Sequence, residues 1–269
     1  MTDHTMPDHL ARLWRLPLGS HLGRRAALDV DRIVGTAVEL ADRDGLSGAT
    51  LPKIAAALDV TPMSLYRHIG SKDELTDLMV DAATGPPPEA LGDDRKGVPE
   101  LDAAASSVKS TAGEPLWRSA LGFWARTQLT AHRRHPWLIQ LPVSGPPRGP
   151  NALAWMDAGL RALRDTQLDW PAKIGVITLV GGYVRQAFTL ERQLEQAWAA
   201  AHLDEAGALR AYTADLSALV TPDRFPDAAA LFASGIFTSP EIAAAPPDAD
   251  FHYGLSLILD GVAAAIAAQ

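Results

Sequence analysis

Met63, Ser64, Tyr66, Arg67 and His68 set a thioether, a hydroxyl, a phenol, a guanidinium and an imidazole side by side. Such groups donate hydrogen bonds to phosphate oxygens and base edges, and the thioether suits a thymine methyl. They need a helix to present them. Thr61 is a good N-cap, and Pro62 at the first helical position needs no amide donor there. A helix over 62–68 turns Met63, Ser64, Arg67 and His68 outward and keeps Leu65 inward. It has too little apolar content to stand alone. The preceding helix, 51–58, carries Ile54, Ala55 and Leu58 on one face, and Asp59-Val60-Thr61 forms the turn between the two. A short polar, weakly basic helix held on an apolar platform is what reading a DNA major groove requires.

The flanking elements follow in order. Asp29 caps an amphipathic helix bearing Ile33, Ala37, Leu40 and Ala41, which ends at Asp44-Gly45, and Gly45 suits a left-handed helix C-terminus. Thr50 is placed to cap the second helix, with Pro52 in its first turn. Ser71-Lys72-Asp73-Glu74 reads as a capping box in which Ser71 and Glu74 each satisfy a free amide of a fourth helix. That helix ends before Gly85-Pro86-Pro87-Pro88, which cannot continue it.

Four helices with these caps in this order, and the run Met63-Ser64-Leu65-Tyr66-Arg67-His68, resemble the DNA-binding domain of the tetracycline-repressor (TetR) family. The resemblance implies phosphate contacts from Thr50 and Lys53. It implies that Thr61, Pro62, Met63 and Ser64 lie at the DNA, the last three facing base edges or thymine methyls. Tyr66 and His68 would reach phosphate, Arg67 a base or phosphate, and Lys72 would complete the phosphate clamp. Pro52 and Met63 depart from the tetracycline repressor itself, so its operator does not carry over. Arg24 and Arg25, just before the first helix, could reach an adjacent minor groove or the phosphates, or belong to a solvated tail.

Charge divides along the chain in the same sense. The net charge is −8 over 269 residues. Residues 10–72 hold nine Lys/Arg against six Asp/Glu, whereas residues 73–269 hold fifteen against twenty-four. A DNA-facing head on an acidic body fits this asymmetry. Cys is absent, which excludes disulfides and thiolate metal sites. No apolar run approaches the ~20 residues that cross a bilayer, and no signal peptide opens the chain, so a cytosolic (cytoplasmic) protein without membrane contact is expected.

The expected organisation is an arm over 1–27, anchored by Leu10, Leu13, Trp14 and Leu16, the head over 28–84, a linker over 85–113 and a helical body over 114–269. Body helices are expected at 115–134, 151–166, 171–199, 203–219, 222–237 and 251–268. No strand-like alternation appears, so the fold class is all-α: a helix-turn-helix DNA-binding domain followed by a helical ligand-binding and dimerisation domain. His135-Pro136-Trp137-Leu138, Gly149-Pro150-Asn151-Ala152-Leu153 and Gly182-Tyr183-Val184-Arg185 resemble the C-terminal domain of TetR-type regulators. That resemblance implies a homodimer through 171–199 and 251–268, a body pocket for a small-molecule inducer, and double-stranded operator DNA as partner. Burial within one monomer is the other reading of the two apolar helices.

Trp124, Trp155, Tyr183, Gln186 and Trp198 are candidates to line the pocket, and each could instead be plain core. Pro86-Pro87-Pro88 stands where the tetracycline repressor's pocket begins with a histidine, so tetracycline is not the expected ligand. His132 and His135, at i and i+3, could share a metal, but Arg133 and Arg134 between them oppose a cation. No metal or cofactor is expected. No phosphate-cradling loop, nucleophile elbow or HExxH motif occurs, which speaks against an enzyme. The expectation is therefore a ligand-responsive transcriptional repressor. The alternatives are a DNA-binding regulator without a ligand, or an all-α enzyme with dispersed residues.

Overall fold

The computed structural model describes residues 6–17, 28–88, 114–143, 145–239, 246 and 248–269. Among these, every regular element is helical. The chain divides into two compact units, Met1–Arg185 with Leu259–Gln269, and Gln186–Ile258.

The first unit opens with a short helix α1 (Asp8–Leu13). The head follows as α2 (Val30–Asp44), α3 (Leu51–Ala57), α4 (Pro62–Ile69) and α5 (Lys72–Thr84). Local chemistry sets most of these bounds. The Asp29 carboxylate accepts the Arg32 amide at 2.8 Å, and Ser71 Oγ accepts the Glu74 amide at 3.1 Å. Gly45 and Gly85 end α2 and α5 at φ of 73° and 61°, a region that favours glycine. Two expected caps differ. Thr50 makes no side-chain cap bond, so α3 starts on Pro52 and packing alone. Glu74 does not complete a capping box, because its carboxylate pairs with Arg12 of α1 at 2.6 Å. A charged partner on a packed neighbour holds that carboxylate better than a local amide does.

The head core joins Ile33, Val34, Ala37, Leu40 and Ala41 of α2 to Ile54, Ala55, Leu65, Ile69, Leu75, Leu78 and Met79. Three residues from elsewhere complete it. Leu13 enters from α1, and Trp137 and Leu138 enter from a 3₁₀ turn, Pro136–Gln140. Of the expected arm anchors, Leu13 is buried and Leu10 packs on the core, whereas Trp14 and Leu16 are exposed. Trp14 Nε1 instead donates to the Arg148 carbonyl at 2.9 Å.

Body helices α6 (Leu116–Arg134), α7 (Pro150–Ala162) and the start of α8 (Trp170–Ala200) finish the first unit, with the end of α11 (Ala249–Ala267). Leu121, Phe123, Trp124, Leu129, Trp155, Leu163, Val180, Val184 and Val262 are buried there. Gly159 on α7 lets the helices approach closely. A Cβ there would lie 3.0 Å from the Trp124 ring and 3.1 Å from Ile177, so these neighbours would have to give by a few tenths of an ångström.

The second unit holds the remainder of α8, then α9 (Glu205–Leu216), α10 (Pro226–Ala233), a 3₁₀ turn (Ile236–Thr238) and the start of α11. The element expected over 222–237 is thus two pieces, broken at Gly235 (φ 70°). Tyr212, Phe232 and Phe237 cluster with ring centroids 5.2–5.5 Å apart.

Candidate nucleic-acid interface

α4 owes its position to two side chains. Leu65 and Ile69, one helical turn apart, are both 0% exposed in the head core. Burial on that scale stabilises by about 1.5–3 kcal/mol per side chain. The rest of α4 is left to solvent. Met63 is 70% exposed and Tyr66 40%, and Pro62 and Arg67 are exposed as well, while Ser64 and His68 are half-buried. Thr61 Oγ1 accepts the Ser64 amide at 3.3 Å and lies 2.9 Å from Ser64 Oγ, which fixes the first turn. Asp59 stands at φ 56° in the turn between α3 and α4, a left-handed conformation that Asp adopts more readily than most residues.

Thr50, Pro52 and Lys53 are exposed at the N-terminus of α3, and Lys72 at that of α5. Unsatisfied amides at helix N-termini attract anions, so the Lys53 and Lys72 ammonium groups sit where backbone dipoles already favour phosphate. The Arg43 guanidinium binds Asp44 at 2.8 Å and, with Lys53 also acting on it, holds that carboxyl below the usual range. Arg24 and Arg25 lie outside the described residues.

Two carboxylates of the head hold it to the body. On α2, Asp42 Oδ1 lies 2.8 Å from His135 Nδ1 and accepts Trp137 Nε1 at 2.7 Å. On α5, Asp81 Oδ1 accepts the amides of Asn151 and Ala152, both at 3.1 Å, at the N-terminus of α7. Asn151 Nδ2 donates to the Asp81 carbonyl and Trp155 Nε1 to the Gly85 carbonyl, each at 2.9 Å. Burial pushes the Asp81 carboxyl above its ordinary value, and the α7 amides pull the other way. Sequence reasoning did not single out Asp42 or Asp81, since nothing local marks either one.

Two of the expected pocket residues are in contact. Trp124 and Trp155 meet edge to face at 6.5 Å, and Trp124 Nε1 donates to the Trp155 carbonyl at 2.9 Å. Both indole N–H groups are therefore satisfied within the protein. Tyr183 is half-buried on α8, while Gln186 is exposed and Trp198 half-buried in the second unit. α6 carries two further polar groups with buried nitrogens, on Gln128 and His132. Gln128 Nε2 is buried with no hydrogen-bond partner among the described residues. Burial, and then the Arg185 charge, lower the His132 imidazole to about 4. His132 is thus neutral at pH 7, while His135 faces Asp42 on the head. The two histidines enter different surroundings instead of sharing one.

A cleft of about 1130 Å³ opens at the junction of head and body. Leu13, Leu51, Met79, Leu138 and Val143 are among its walls. It is not the expected body pocket, because neither tryptophan lines it.

Residues 33–79 match the family model for bacterial regulatory proteins of the tetR family, and residues 111–266 match the tetracyclin repressor-like C-terminal domain. The chain is 32% identical over 259 residues to the HTH-type transcriptional repressor DrrR1 of Streptomyces coeruleorubidus, covering 96% of this chain and 86% of that one. It is 31% identical over 199 residues to an HTH-type transcriptional regulator of Saccharopolyspora erythraea, covering 71% and 73%. Among solved structures it is similar to the TetR family protein ActR of Streptomyces coelicolor in complex with (S)-DNPA. That match has 25% identity and a TM-score of 0.63, and covers 90% of this chain and all of that one. These relatives are regulators and not enzymes. With its helix-turn-helix head and helical body both matched, the chain belongs to the TetR family of transcriptional regulators.

Proposed function

We infer that this chain is a repressor that binds a palindromic operator as a homodimer and leaves it when a small molecule occupies the body. The observation that carries the reading is α4 itself. Its inward residues Leu65 and Ile69 are locked in the core, and Pro62, Met63, Tyr66 and Arg67 face solvent. In the proposed complex, Pro62, Met63 and Ser64 meet base edges or thymine methyls, and Arg67 meets a base or phosphate. Thr50, Lys53, Tyr66, His68 and Lys72 hold phosphates, with Arg24 and Arg25 reaching the minor groove or backbone. Such a regulator works in the compartment that holds the DNA, the bacterial cytoplasm.

Dimerisation is supported by apolar faces left uncovered in one chain. Ile174 and Leu179 on α8 are exposed beside Gly175 and Gly182, and Tyr253 and Leu257 on α11 are exposed one turn apart. Pairing them with a second copy would bury both faces and set two recognition helices roughly 34 Å apart, one turn of DNA. A ligand is supported by the ActR complex with (S)-DNPA and by the buried Gln128 amide, a donor suited to a carbonyl or other acceptor. Binding in the body and binding to DNA would be coupled through α5, and reciprocally so.

The test is a fluorescence-anisotropy titration against the DNA upstream of the gene and a scrambled duplex, at two salt concentrations. Saturable binding to the first alone, with dimer stoichiometry, supports the reading. Equal, weak and steeply salt-dependent binding to both would reduce the head to a general phosphate binder.

A further inference from the structure

Asp81 is the buried charged residue among those described, only 7% exposed. A carboxylate out of water is costly unless donors replace the water it has lost. Here the donors come from one place, the start of α7, where two amides point at its oxygens and the helix dipole favours negative charge. The surroundings are built to the same end. A side chain at Gly149 would collide with the Asp81 carboxylate. Asn151 Nδ2 and Trp155 Nε1 close the contact by bonding the carbonyls of Asp81 and Gly85.

We propose that Asp81 is the positioning residue that sets the angle of the DNA-reading head, by latching α5 to the N-terminus of α7. The inference rests on the operator-binding reading above. Its logic is mechanical. Trp137, buried in the head core and bonded to Asp42, fixes one point of the head, on α2. One fixed point still permits rotation about it. The Asp81 latch fixes a second point on a different helix and leaves only turning about the line through the two points. In a dimer, the swing that it removes is what would change the separation of the two recognition helices. A ligand that shifts α7 would therefore act on DNA affinity through this carboxylate.

The experiment compares full-length wild type with Asp81→Ala, Asp81→Asn and Gly149→Ala. The operator is one selected from a randomised duplex library, tested with and without about two base pairs inserted between its half-sites. Asp81→Ala and Gly149→Ala are expected to lose discrimination between the two spacings by about ten-fold, within the usual span of coupling between sites. Their affinity for a single half-site should stay at the wild-type value, a result that general destabilisation would not give. Asp81→Asn, which keeps one acceptor oxygen, should fall between. Unchanged spacing discrimination in the folded Asp81→Ala protein overturns the proposal. Hydrogen exchange at the Asn151 and Ala152 amides, without DNA, supplies an independent arm. Lost protection in Asp81→Ala supports the latch, and retained protection overturns it. Should wild type select no duplex at all, the operator reading fails, and the exchange arm alone decides the latch.

Discussion

Lowering the pH should destabilise this protein through His132 by an amount that the structure sets. Burial and the Arg185 charge take its imidazole from 6.5 to about 4. Because the folded value is depressed, the unfolded chain binds the extra proton first. The stability contribution is present above pH 6.5 and is lost as pH falls toward 4. At about 1.4 kcal/mol per unit, the loss between pH 7.5 and pH 5.0 comes to roughly 2 kcal/mol. In urea this amounts to a midpoint shift of about 1 M for an m-value near 2 kcal/mol/M. Other groups titrate over the same range, and Asp81, whose folded value is raised, acts with the opposite sign. The measurement is therefore a difference: urea unfolding of wild type and His132→Asn at pH 7.5, 6.5, 5.5 and 5.0, at one protein concentration. The variant should lack the additional acid sensitivity. Equal pH dependence in the two proteins would refute the assignment of a buried neutral imidazole at this position.

Other consequences can be measured directly. Leu65→Ala should cost about 2–5 kcal/mol in denaturant unfolding, because the fully buried side chain leaves a cavity under the recognition helix. Lys53→Ala and Lys72→Ala should each weaken operator binding across all sequences and flatten the salt slope by about one per contact, as read by anisotropy. Met63→Ala, by contrast, should change the preferred base at its position with little effect on salt dependence, as read by binding-site selection. Leu179→Glu, on an exposed apolar face of α8, should shift the sedimentation coefficient to that of a monomer, while a dimer that persists unchanged would place the interface elsewhere.

The sequence by itself determined whatever depends on neighbours a few positions away. Asp29, Thr61 and Ser71 cap their helices because a side-chain oxygen three residues from a free amide can reach it without help from the rest of the fold, although Thr50 does not. Ile54, Leu65 and the apolar face of α2 were legible because their period matches the helix. Hence the helix-turn-helix, its outward residues and the all-α class followed from local pattern. Tertiary structure decided every case in which a distant partner outcompetes a local one. Glu74 leaves its capping box for Arg12, Trp124 and Trp155 satisfy their indoles on backbone carbonyls, and His135 turns to Asp42 on the head. The insertion of Trp137 into the head core and the latch of Asp81 on α7 join residues separated by 95 and 70 positions. No periodicity reports such a pairing. It exists only because a buried polar group must find a partner, and the packed helices determine which partner is within reach.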